Sequence, residues 1–78
     1  MSGVLHYTIN LRPEPEGGYT VLVPALPEVV TYGKDEAEAL RMALEAIELA
    51  LDVRRDEGEE IPDDVVPLVR TVTVQRAA

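Results

Sequence analysis

Apolar and polar side chains alternate along the first part of the chain. Residues 4–11 and residues 19–23 place an apolar side chain at every second position, a period of two that is typical of half-buried strands. The segment between them, residues 12–18, contains two prolines, which cannot extend a strand ladder, and two glycines, which accept positive φ. The pattern therefore predicts an antiparallel hairpin.

Two further strands are predicted on either side of a long helix-forming segment. Residues 28–32 form a third, shorter strand that ends at Gly33, and residues 69–75 alternate again with Val72 and Val74 on one face. A helical connection between two strands of one sheet is right-handed, so the last strand should run parallel to the third. Its natural place is beside the first strand.

The predicted helix begins with a capping box and is apolar over more than half of its circumference. Asp35 supplies the cap and Glu38 lies three residues later, while Gly58 is the natural stop. Residues spaced at about 100° fall into three apolar rows. The rows are Ala37, Leu40, Leu44, Ile47 and Leu51; Ala39, Ala43, Ala46 and Ala50; and Met42, Leu49 and Val53. We expect the first row to face the sheet.

These elements predict a single α+β domain over residues 1–78, ordered β-β-β-α-β, with a small, mostly antiparallel sheet and one long helix packed on one face. One small sheet cannot cover so wide an apolar arc. We therefore predict that Met42, Ala46, Leu49 and Val53 form a self-association surface. Two alternatives remain open: the loop of residues 56–68 covers this face, or copies pair through an exposed strand edge. The sequence does not distinguish a dimer from a tetramer.

Size and composition support association and point away from several other functions. A chain of 78 residues without cysteine buries only about 60% of its unfolded surface and has no disulfides to compensate. Its 15 acidic and 7 basic residues give a net charge of −8, which repels nucleic acid and steers basic proteins toward the chain; such acidity also serves plain solubility. The sequence shows neither a membrane span nor a signal peptide, so we predict a cytoplasmic protein.

No residue pattern indicates catalysis or a bound cofactor. His6 lies on the polar face of the first strand without a second histidine or a cysteine, and no nucleophile elbow or phosphate-binding glycine loop is present. The acidic run from Glu59 to Asp64 contains oxygen ligands that suit Mg²⁺, but nothing fixes their geometry and no EF-hand spacing appears, so we expect a solvated loop. We predict a non-enzymatic protein without metal or cofactor. A metal-dependent nuclease built on this run is the alternative, and calorimetric titration with Mg²⁺ separates the two.

A series of motifs gives the chain a family resemblance. A Gly-Gly-Tyr strand start, a Val-Pro-Ala-Leu-Pro strand exit, a short strand that ends in glycine and an Asp-Glu-Ala-Glu-Ala-Leu helix start follow one another, and a later Gly58 and Ile61-Pro62 continue the pattern. In this order and spacing they resemble the HicB family of antitoxins over about residues 5 to 75. The motif residues are Gly18, Tyr19, Pro24, Leu26, Pro27, Gly33, Asp35 and Glu38.

The resemblance implies a partly RNase-H-like fold without RNase H activity. It also implies that the protein neutralises a HicA-type toxin, a small basic mRNA-cleaving protein, by protein–protein binding. Many family members carry a C-terminal DNA-binding domain, which we do not expect here because the sequence stops at Ala78, just after the last predicted strand. The sequence thus predicts a self-associating HicB-like antitoxin module. The alternative is a generic regulatory or ligand-binding module with no toxin partner.

Overall fold

A computed structural model of the chain describes residues 3–77 and shows a three-stranded antiparallel sheet with one long helix against it. The elements are β1 (Asn10–Pro13), β2 (Tyr19–Leu22), β3 (Val30–Gly33) and α1 (Glu36–Asp56). The strand order is β1-β2-β3, and α1 packs against β2 and β3. The predicted α+β class, with three strands followed by the helix, is confirmed.

The hairpin forms, but β1 begins later than the alternation predicts. Asn10 lies opposite Leu22 and Pro13 opposite Tyr19. Before Asn10, the next residues of the chain opposite β1 would be Val23 and then Pro24. Proline has no N–H to donate to a strand ladder. Residues 4–9 therefore have no partner in the ladder. Pro13 is tolerated because β1 lies at the edge of the sheet.

Two tight turns connect β2 to β3. The Leu26 N–H donates to the Val23 carbonyl at 2.9 Å, and the Val29 N–H donates to the Leu26 carbonyl at 2.9 Å. These turns point the Leu26 side chain inward, where it is fully buried. The Val-Pro-Ala-Leu-Pro segment is thus a core element that reverses the chain.

The helix begins with the predicted capping box. The Asp35 carboxylate accepts a hydrogen bond from the Glu38 N–H at 2.8 Å, and the Glu38 carboxylate accepts one from the Lys34 N–H at 2.8 Å. The second bond holds the pKa of Glu38 below its usual value, with Arg41 adding a smaller effect. Both bonds satisfy backbone donors that a helix start leaves without partners.

The helix ends at a Schellman motif. Gly58 adopts φ of +73°, and its N–H donates to the Arg55 carbonyl at 3.1 Å while the Glu59 N–H donates to the Arg54 carbonyl at 2.8 Å. A left-handed residue at this position favours glycine. The predicted stop at Gly58 is confirmed. Among residues 3–77, no helix combines the length and apolarity needed to cross a bilayer.

The core consists of two adjoining clusters between the sheet and the helix. The first comprises Val21, Ala39 and Ala43, with Ile9, Leu11 and Tyr19 packed against it. The second comprises Val23, Leu26 and Val29, with Tyr7, Ile9, Ala46, Ile47, Ala50 and Leu51 packed against it. Because Ile9 contacts both clusters, the segment before β1 belongs to the core even though it lacks strand partners.

The predicted last strand, residues 69–75, is not paired within residues 3–77. The segment is extended and exposed, with Val72 and Val74 among its accessible side chains. The alternation that predicted a strand is real, but a strand also needs a neighbour, and residues 69–75 pair with no strand of the described chain. The expected position parallel to β3 and beside the first strand is therefore wrong for the single chain.

Candidate protein-interaction site

The helix meets the sheet through its alanine row, which corrects the predicted orientation. Ala39 and Ala43 are buried, whereas Leu40 and Leu44, which we expected in the core, are 50% and 58% exposed. The small side chains permit a close approach, because a side chain at Gly33 would overlap the backbone of Ala39. The leucines therefore lie on the flanks of the contact instead of at its centre.

One flank of the helix forms an apolar groove with the start of β3, which we call the β3 groove. It has a volume of about 590 Å³. Leu49 and Val53 remain 66% and 45% exposed within it. Its lining residues are Glu28, Val29, Val30, Ala46, Leu49, Ala50, Val53, Arg54, Glu57 and Glu59. Such a groove binds another molecule by burying apolar surface, a mode that suits a protein partner.

Charged side chains at one end of the β3 groove make it acidic. Arg54 binds Glu28 through two hydrogen bonds, Nε to Oε2 at 2.7 Å and Nη2 to Oε1 at 2.9 Å, and this pairing holds the pKa of Glu28 below its usual value. Close by, a hydrogen bond with Glu59 and the negative charge of that residue raise the pKa of Glu57. Repulsion between two carboxylates is relieved when a cation approaches, so this end favours a basic group.

The opposite flank of the helix forms a second groove, the β1 groove, along the segment that precedes β1. It has a volume of about 260 Å³ and is lined by Leu5, His6, Tyr7, Ile9, Leu40, Ala43, Leu44 and Ile47. A neighbouring depression continues it past Leu5 toward Leu51 and Ile61, with Glu48 and Asp52 at its rim. Apolar surface is thus exposed on both sides of the helix.

The structure brings together three of the four residues predicted for self-association. Ala46, Leu49 and Val53 all line the β3 groove. Met42 is half-buried and lines neither groove. The sequence analysis missed the sheet side of the groove, Val29 and Val30, because residues 28–32 were interpreted only as a short edge strand.

The loop after the helix does not cover the self-association surface. The Tyr7 hydroxyl donates to the Pro62 carbonyl at 2.6 Å, and the Thr8 N–H and hydroxyl donate to the Asp64 carboxylate at 2.8 Å and 2.7 Å. These bonds draw the loop to the β1 side of the molecule. Leu49 stays exposed, so the alternative in which residues 56–68 fold over the helix face is wrong.

The acidic run from Glu59 to Asp64 holds the candidate cation ligands of the sequence. No group of three metal-binding side chains is found among residues 3–77. Asp64 is occupied by Thr8, whose backbone N–H chiefly lowers the pKa of the carboxylate. His6 is exposed beside the β1 groove. The run is a connection that is anchored at Pro62 by Tyr7 and at Asp64 by Thr8.

The motif residues have structural roles that explain their spacing. Gly18 has φ of +79°, and a side chain there would overlap the ring of Tyr32, whose hydroxyl donates to the Gly17 carbonyl at 3.0 Å. Tyr19 packs on the first core cluster, and Leu26 fills the second. The motif therefore specifies the scaffold that shapes the two grooves.

Comparison with known proteins gives the chain named relatives. Over 58 residues, 74% of this chain, it is 41% identical to antitoxin HicB 1 of Photorhabdus laumondii and 40% identical to antitoxin HicB of Escherichia coli. The match covers 37% and 42% of those two proteins, so the chain spans less than half of their length. It is also 38% identical over 60 residues to a UPF0150 protein of Thermoplasma acidophilum, covering 77% of this chain and 87% of that relative. No protein-family model matches the chain.

Proposed function

Because this chain belongs to the HicB-like family, in which the UPF0150 proteins are its relatives of matching length, we propose that it is an antitoxin module. In this proposal the protein self-associates and neutralises a small basic HicA-type mRNA-cleaving toxin by binding it. The observation that carries the proposal is the exposed β3 groove, with Leu49 and Val53 at its centre, on a chain of net charge −8.

Self-association through the β3 groove is supported by the apolar surface that it removes from water. Fully burying a leucine or valine side chain contributes about 1.5–3 kcal/mol. Leu49 keeps about two thirds of its surface exposed and Val53 nearly half. A symmetric contact between two copies buries both side chains twice, so the burial free energies of four side chains stabilise it. In a two-fold contact each residue is used twice.

The charge distribution supports a basic protein as the second partner. Long-range attraction raises the rate at which oppositely charged proteins meet, and salt reduces that rate. The neighbouring acids Glu57 and Glu59 at the end of the β3 groove are where we expect a basic partner to be attracted. A basic toxin placed there would offset the repulsion from Glu59 that raises the pKa of Glu57.

The toxin part of the proposal is tested by reconstitution. A small basic HicA-type toxin is purified, and its cleavage of an mRNA is followed as the present protein is added. We expect cleavage to fall to zero at a fixed molar ratio, with association slower in high salt. Undiminished cleavage at excess protein, together with no complex in size-exclusion chromatography, refutes it and leaves the alternative of a regulatory module without a toxin.

The self-association part is tested by sedimentation of Leu49→Glu beside a matched control, Ala37→Glu. Both replace an exposed apolar helix residue with the same acid, but only Leu49 lies in a groove. We expect Leu49→Glu to lower the molar mass and Ala37→Glu to leave it unchanged, with equal helix content by circular dichroism. Equal masses for the two variants contradict the role of the β3 groove.

A further inference from the structure

The C-terminal segment extends well beyond the folded body of the protein. The radius of gyration is 15.8 Å and the longest dimension is 60 Å. A compact chain of this length has a radius of gyration of about 11.5 Å, and a helix of this size is only about 31 Å long. No hydrogen bond joins residues 66–77 to the rest of the described chain.

The segment cannot pair along its own sheet from the place where it is anchored. Asp64 lies level with Thr8, and the preceding contact of Pro62 with Tyr7 indicates that the two segments advance in the same direction. Five more residues along the sheet bring the chain level with Pro13, the last residue of β1. Residues 70–75 would therefore run past the end of their own edge strand.

The side chains of this segment nevertheless have the pattern of a sheet strand with one buried face. Val72 and Val74 point to the same side and are 80% and 72% exposed, with Thr71 and Thr73 on the other side. By the same alternation Leu68, which is exposed as well, and Arg70 lie on the side of the two valines. A strand with one apolar face that no part of the single chain covers requires an edge to join and a surface to cover.

The body of the protein offers such an edge. β1 and β3 are the two outer strands of the sheet. The helix packs against β2 and β3, and among the described residues β1 pairs with β2 alone, so its outer edge is open. Leu40 and Leu44 are exposed along the β1 groove beside that edge. A strand added to β1 would lay its inward side chains over these leucines.

The C-terminal segment and the rest of the chain carry opposite charges. Residues 65–78 contain Arg70 and Arg76 and no acid, so the rest of the chain carries all 15 acidic residues against five basic ones. Two acidic bodies repel each other, whereas a cationic segment of one copy is attracted to the acidic body of another. Glu48 lines the depression that continues the β1 groove, together with Asp52, which is paired there with Arg55 at 2.9 Å.

We propose that residues 69–75 of one copy pair with the outer edge of β1 in a second copy, placing Val72 and Val74 over Leu40 and Leu44, and that the exchange is reciprocal. This inference specifies a second contact for the self-association proposed above and rests on it, but it does not require a toxin. The exchange uses the β1 side of the helix and leaves the β3 groove free. Both contacts together build a tetramer when their two-fold axes cross at right angles.

Sedimentation equilibrium of four full-length variants tests the exchange. Val72→Lys places a charge on the inward face, and Thr73→Lys places the same charge on the outward face of the same segment. We expect Val72→Lys to weaken the exchanged dimer roughly tenfold or more and Thr73→Lys to leave it intact. Leu49→Glu should reduce the tetramer to the exchanged dimer, and Val72→Lys combined with Leu49→Glu should give monomers.

The outcomes separate this inference from the proposed function. A protein that stays assembled with Val72→Lys and becomes monomeric with Leu49→Glu alone overturns the exchange and leaves the β3 groove as the contact. A monomeric wild-type protein overturns both contacts, while toxin neutralisation is measured independently.

Isotope-filtered NMR identifies the receiving edge directly. A mixture of ¹³C-labelled and unlabelled copies is dissociated and reassembled, and nuclear Overhauser effects between copies are recorded. We expect contacts from the Val72 and Val74 methyl groups to Leu40 and Leu44 of the other copy. Contacts within one copy only, or between two C-terminal segments, refute the proposed pairing with β1.

Discussion

Truncation of Leu26 should remove a large share of the stability of the folded chain. Leu26 is fully buried between Val23 and Val29, and deleting a buried leucine side chain to alanine costs about 2–5 kcal/mol, since transfer free energy is lost and a cavity remains. A domain of this length has a total stability of about 4–12 kcal/mol. A loss of about 3 kcal/mol lowers the melting temperature by roughly 12–24 °C.

The assay is urea unfolding followed by far-ultraviolet circular dichroism, with Leu49→Ala as the matched control. The same atoms are removed at Leu49, but that side chain is 66% exposed. Any effect of Leu49→Ala that arises from lost association shrinks on dilution, because assembly stabilises by mass action, whereas the Leu26→Ala effect persists at every concentration. Similar midpoints for the two variants in dilute protein would falsify the assignment of Leu26 to the core.

Three further predictions concern the turns, the helix start and the loop. Gly18→Ala should lower the melting temperature more than Gly17→Ala, because both glycines have positive φ but only Gly18 has neighbouring atoms in the way; equal losses would contradict the packing described here. Asp35→Ala should destabilise the protein by about 1 kcal/mol in denaturant unfolding through loss of the helix cap, and no change would mean that the cap is not formed in solution. The pKa of Asp64 is lowered from its ordinary value of 3.8 by the Thr8 hydrogen bonds, so the contribution of this contact is present above that value and is lost as the pH falls through the folded-state pKa. The Thr8 amide resonance should follow this titration in NMR spectra, and it should lose its pH dependence in Asp64→Asn.

Local signals in the sequence predicted the elements whose partners lie close along the chain. The capping box at Asp35 and the stop at Gly58 were predicted because caps and left-handed glycines depend on the nearest few residues. The hairpin was also predicted, since its turn lies between its strands. Its first strand was placed too early, because the limit at Asn10 is set by Pro24, which follows the neighbouring strand β2, and not by residues 4–9 themselves.

Features that depend on distant contacts were harder to predict. The alternating residues 69–75 carry the signature of a strand, but alternation does not say which edge, or which copy, supplies the neighbour. The predicted helix face was right only in part, because Ile47 and Leu51 of the first row pack on the second core cluster while Leu40 and Leu44 are exposed. Leucine spacing identified the first row as the core stripe, whereas the close approach at Gly33 selects the alanine row around Ala43. The size of the side chains between the helix and the sheet, more than their hydrophobicity, determined which row of the helix lies closest to the sheet.

Ala43 therefore acts as a spacer between the helix and the sheet. A larger side chain at this position would lift the helix away from β2, and since both flanks of the helix move together, it would change the depth of the two grooves at once. One methyl group thus sets the shape of two separate contact surfaces, and neither can be adjusted from this position without altering the other.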